Sequence, residues 1–127
     1  MALPHAASGE VIQLSRSDDD IASLTSVALV KTENMELIRL LLPKEREMPM
    51  HQVDGEITLL CLNGELVVDA HGKSSVLRPG EMLYLLGGVP HAVRANEDSV
   101  GLLTILLEHG DGLASRHQAK AQAQAQA

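Results

Sequence analysis

Punctuation constrains this chain more than any other feature of its sequence. From Ile57 to Leu107, apolar runs of about five residues alternate with turn-forming segments at intervals of roughly 8–12 residues, the rhythm of an all-β sandwich or barrel. The runs are Ile57–Leu62, Glu65–Ala70, Lys73–Leu77, Glu81–Leu86, His91–Ala95 and Val100–Leu107. Between them stand Asn63-Gly64, His71-Gly72, Arg78-Pro79-Gly80, Gly87-Gly88-Val89-Pro90 and Asn96-Glu97-Asp98. Asn63-Gly64 reads as a two-residue hairpin turn, because Asn and Gly both accept the positive φ that such turns require. No helical period separates the runs. Upstream, Leu24–Lys31 and Met35–Leu42 read as partner strands around Glu33-Asn34. Pro43 closes the second of them, since proline cannot extend a ladder. The charged stretch Lys44–Pro49 reads as a loop.

A chain of 127 residues makes one domain. Its organisation reads as an N-terminal strand and acidic loop over 1–23, a barrel over 24–108 and a flexible Ala/Gln-rich tail over 109–127. The weak alternation at Val11, Ile12 and Leu14 marks the strand, and Asp18-Asp19-Asp20 the loop. In the tail, alternating Ala and Gln offer no apolar stripe to dock. With one tyrosine and neither Phe nor Trp, the core must be aliphatic, and the chain has almost nothing on which a base could stack. A net charge of −7 repels phosphate backbones, which sets nucleic acid aside. No apolar run approaches the ~18–20 residues that cross a bilayer, so no membrane partner is expected. The first ten residues lack a basic flank and an apolar stretch, which points to a cytoplasmic protein. Cys61 is alone, which rules out an internal disulfide and any multi-cysteine zinc site.

Two stretches carry a family resemblance. Gly80, five residues, Leu86, Gly87, Gly88, two residues and His91 resemble the second signature of the cupin superfamily, with Leu86 in the proline place and Ala95 in the asparagine place. Counting back from Gly64, the first signature falls in register: Ile57 takes the glutamate place, Val53 the second histidine place and His51 the first. The resemblance spans residues 35–107 and implies a double-stranded β-helix, or jelly-roll, barrel. It also implies a metal centre, of whose four positions only His51 and His91 retain ligands. A second alignment makes Glu56 the carboxylate, but it slips the strand by one residue and turns Glu56 to the opposite face unless a bulge intervenes.

In that register Ile57, Leu59 and Cys61 share one strand face, so the inner wall is apolar apart from one thiol. His51, Ile57, Leu59, Cys61, Tyr84 and His91 are the expected lining of a ligand pocket. His51 and His91 are the expected metal ligands, with Glu56 or Cys61 as the further candidate, for zinc, nickel, manganese or iron. A thiol ligand would favour zinc or copper over iron. Taken alone, Cys61 reads as a small buried hydrophobe and each histidine as a structural hydrogen-bonding group. Met35, Met48, Met50 and Met82 read as core or cavity lining, and His5, His71, His109 and His117 as solvated.

Three functions follow from these readings. The first is a small cupin that binds a small molecule in an apolar barrel pocket, with a weakly held divalent metal at His51 and His91. The second is a metal-dependent enzyme of dioxygenase, isomerase or decarboxylase type. The third is a structural or regulatory subunit. A homodimer is expected, because Leu24–Lys31 and Met35–Leu42 are apolar beyond what one barrel face needs.

Overall fold

A computed structural model describes residues 5–14 and 26–107. Its nine strands are β1 (Val27–Lys31), β2 (Met35–Leu42), β3 (Glu47–His51), β4 (Ile57–Asn63), β5 (Leu66–Ala70), β6 (Lys73–Leu77), β7 (Met82–Leu85), β8 (His91–Ala95) and β9 (Ser99–Leu106). They form two antiparallel sheets, one ordered β1-β2-β9-β4-β7 and the other β3-β8-β5-β6. β2 pairs with β9, β3 with β8, β4 with β7 and β5 with β6, so the pairs nest within one another. That nesting is a jelly roll: one long antiparallel hairpin folded over into two facing layers.

The period-two alternation of the strands decides which side chains enter the space between the sheets. On β4, Ile57, Leu59 and Cys61 point inward, and across from them on β9 stand Ile105, Leu103 and Gly101. The second sheet contributes Leu66, Val68 and Ala70 from β5 and Val93 and Ala95 from β8. Leu40, Leu42, Leu77 and Leu85 complete an aliphatic core. No aromatic residue takes part in it.

Several turns behave differently from their sequence reading. Asn63-Gly64 joins β4 to β5, and these strands lie in different sheets, so the pair makes a crossing and not a hairpin. Gly64 is required there twice over. Its φ is +83°, and a Cβ would overlap the Asp98 carbonyl oxygen. Ser99 locks the same corner: its buried Oγ accepts a hydrogen bond from Glu65 N at 3.0 Å and reaches Glu97 O at 2.7 Å. The genuine tight hairpin is at His71-Gly72, where φ values of +54° and +73° match the mirror-image turn that suits twisted strands.

Lys44–Pro49 is not wholly a loop, because Glu47 to His51 forms β3. β3 is an edge strand, the place where charges and a proline are tolerated, and it pairs with β8 through a bulge between Met48 and His51. At the N-terminus no strand forms within residues 5–14. Instead Ala6 N donates to Leu29 O, and the buried Arg39 guanidinium donates to Gln13 O at 2.9 Å. The apolar surplus of β2 is buried within the chain: Leu41, on its outward side opposite Val100, is only 3% exposed. Asp18–Asp20 and the tail 109–127 lie outside the described residues. No described helix is long and apolar enough to cross a membrane.

Candidate functional site

His91 opens β8, and His51 closes β3 directly opposite it. Their ring centroids are 4.5 Å apart and the ring planes are inclined by 54°. They are therefore neighbours on one sheet and do not face each other across the barrel. Local sequence explains how both come to the same face. Met48 points inward, three residues before His51, a spacing that an unbroken strand would send to the opposite side. The bulge at Pro49-Met50 absorbs one residue and restores His51 to the inner face. On β8 the alternation is regular, and His91, Val93 and Ala95 all point inward.

The two rings are held in the same way. His51 Nδ1 lies 3.0 Å from Pro49 O, and His91 Nδ1 lies 2.9 Å from Val89 O, each a carbonyl two residues back along the chain. A carbonyl only accepts, so each Nδ1 carries the proton and donates it. In a neutral ring the lone pair then sits on Nε2. Neither Nε2 has a hydrogen-bond partner among the described residues. His91 is buried at 4% exposure, while His51 is exposed, so the pair runs from the interior to the rim. The rim is tied by Gly88 N donating to Val53 O at 2.7 Å, with Val53 and Val89 both packed on the core.

Beneath the pair lies a closed space lined by His91, Met48, Ile57, Leu59, Leu85 and Val93 among others, all apolar except the imidazole. It offers about 10 Å³ to a water-sized sphere, roughly the space one water needs. The barrel is thus filled by its own side chains. Of the expected pocket lining, Ile57, Leu59 and His91 border this space.

Cys61 is fully buried but outside that lining, its Sγ directed at the carbonyls of Asn63 (3.5 Å) and Gly64 (3.8 Å). Burial pushes its thiol pKa up, with Glu81 and Glu65 adding to the rise against a hydrogen bond from the Leu66 backbone. Tyr84 does not line the pocket. Leu83 and Leu85 take the inward positions of β7, which turns Tyr84 outward with 53% exposure. Met50 and Met82, at 58% and 61% exposed, are not core residues either. Met48 does border the space, in keeping with its reading as core or cavity lining.

The further metal ligands are not in place. Glu56 flanks the inward Ile57 and faces Tyr84 on the outer surface, as alternation dictates. Among the described residues no three of His, Cys, Asp and Glu come together as a metal-holding group. The remaining two positions of the family centre hold hydrocarbon, Ile57 and Val53. The residues therefore do not fit a four-ligand centre of imidazoles and carboxylate.

Comparison with known proteins gives the following. The family model for the cupin domain matches residues 38–107. The conserved SPY1581 protein of unknown function from Streptococcus pyogenes superposes with a TM-score of 0.69 at 19% identity, over 87% of this chain and 97% of its own. An RmlC-like cupin protein from Desulfovibrio desulfuricans superposes with a TM-score of 0.62 at 26% identity, over 80% of this chain and 97% of its own. A DMSP lyase, DddQ, from Ruegeria pomeroyi has a TM-score of 0.60 at 20% identity, over 68% of this chain and 48% of its own. No curated protein matches the sequence significantly.

Proposed function

The chain belongs to the cupin domain family, and on that premise we propose that it is a binding module whose small guest docks on the His51–His91 pair at the barrel rim. One observation carries this reading. Two imidazoles stand 4.5 Å apart, each with Nδ1 committed to a backbone carbonyl, so that both Nε2 lone pairs are left for a shared guest. Anchoring the far nitrogen of a ligand histidine is how proteins fix its tautomer and aim its lone pair. The filled interior favours a guest at the rim over one in the barrel pocket that the sequence suggested. A space of about 10 Å³ is far below the ~300 Å³ at which organic-ligand pockets begin. Among the described residues no third His, Cys, Asp or Glu joins the pair as a metal-holding group, and the reading is one of binding.

A guest that binds the folded state alone raises its melting temperature by mass action. Melting of untagged protein against a panel of transition-metal ions and small hydrogen-bond donors should find at least one that stabilises the wild type. The same compound should leave His51→Gln unshifted. A stabilising compound that acts equally on His51→Gln would place the site elsewhere and refute the proposal.

A further inference from the structure

The outer side of the four-stranded sheet carries the space that the barrel interior lacks. A groove opens where the β5–β6 hairpin meets β8 and the end of β3, and it holds about 560 Å³. That volume lies within the ~300–1,000 Å³ typical of small-molecule sites. Two cations border it, Lys73 of β6 and Arg94 of β8, with Asp69 on the intervening β5. Asp69 is already engaged. Its Oδ2 pairs with Arg94 Nε at 3.6 Å, and its Oδ1 accepts a hydrogen bond from Ser74 Oγ. Beyond that ion pair the Arg94 guanidinium makes no hydrogen bond among the described residues, and Lys73 makes no ion pair among them. Glu47 stands opposite Arg94 in the β3–β8 ladder, but it forms no ion pair with it and does not border the groove.

Hydrocarbon faces these cations. Met50, Ala70 and Pro90 share the lining, and Met50 sits in the bulge of β3 with 58% of its surface exposed. From this placement we propose that the groove binds a small monocarboxylate with a hydrocarbon body, Arg94 and Lys73 taking the carboxylate and Met50 and Pro90 the chain. The planar fork of a guanidinium matches the two oxygens of a carboxylate. With His71 neutral, two cations against one acid leave the groove a single positive charge, which a monoanion balances and a phosphate dianion exceeds. The chain as a whole carries −7, so a groove of positive balance stands apart from its surroundings. It is also separate from the histidine pair, neither ring of which borders it.

Sodium hexanoate is the probe, followed through the ¹³C-methyl signals of methionine-labelled protein at constant ionic strength. Met50→Leu and Met82→Leu assign the two exposed methionines. Hexanoate should shift the Met50 methyl saturably, while that of Met82, as exposed but on β7, stays in place. Lys73→Gln and Arg94→Gln should each weaken binding by about tenfold. Lys73 makes no ion pair among the described residues, so its variant keeps the fold intact. Hexanamide, which keeps the chain and drops the charge, should bind more weakly by at least that factor, and inorganic phosphate should displace hexanoate poorly. His51→Gln should bind hexanoate as the wild type does. A Met50 methyl that does not saturate, equal movement of Met82, or unchanged affinity in both Lys73→Gln and Arg94→Gln would each overturn the proposal. Equal binding of hexanamide, or tighter binding of phosphate, would do the same. Loss of hexanoate binding in His51→Gln would move the site to the rim pair and overturn it as well.

Discussion

Glu56 lies beside Tyr84 on the outer face of the barrel, one residue before Ile57 turns into the core. This contact fixes the register of the whole site, because a carboxylate that meets Tyr84 outside cannot also serve as a ligand inside. Burial raises the Tyr84 pKa above its ordinary value, and the charge and hydrogen bond of Glu56 raise it further. Tyr84 is the only aromatic residue of the chain, so the rise of phenolate absorbance with pH reports it alone. Glu56→Gln should move that titration towards lower pH. An unchanged titration would mean that Glu56 does not face Tyr84.

The two histidines should differ in what their removal does to the fold. His91 is buried and its ring caps the closed space, so His91→Ala loses packing as well as the bond to Val89 O. A loss of about 1–3 kcal/mol is expected in urea unfolding. His51 is exposed, and His51→Ala should stay within about 0.5 kcal/mol of the wild type. Equal losses in the two variants would contradict the asymmetry of the pair.

Cys61 should be silent in the native state. Its thiol is fully buried and held protonated, so thiol reagents should label it only after unfolding. The unfolded chain releases this proton at the ordinary value of 9.0, while the native state holds it to higher pH. Native stability is therefore untouched below that value and falls as pH climbs from it towards the folded pKa. Cys61→Ala should flatten that alkaline decline, as read from urea midpoints across the alkaline range. Labelling of the native thiol at the unfolded rate would show that the residue is not enclosed.

The strands legible in the sequence were those closed at both ends by turn residues. Met35–Leu42, Lys73–Leu77 and His91–Ala95 form strands with the bounds their turn residues suggest. β3 was illegible because it is an edge strand with a single buried-side apolar residue, Met48, amid charges and a proline. The spacing of His51 and His91 within the two family signatures marked both as candidates, and the strand register sets them opposite each other. What a linear pattern does not encode is a bulge. That bulge makes Met48 and His51 share a face and places the histidines side by side on one wall. Tyr84 was misplaced for the opposite reason: β7 pairs without a bulge, and plain alternation with Leu83 and Leu85 turned Tyr84 out. Asn63-Gly64 carried a sound turn signal, but turn chemistry does not say which sheet the next strand joins.

The account turns on which nitrogen of each ring holds the proton. Long-range ¹H–¹⁵N spectra of the histidine side chains report this directly. His51 and His91 should both appear as Nδ1–H tautomers, bonded to Pro49 O and Val89 O, with unprotonated Nε2. Nε2–H tautomers at both positions, or the averaged pattern of rings exchanging freely between tautomers, would contradict it.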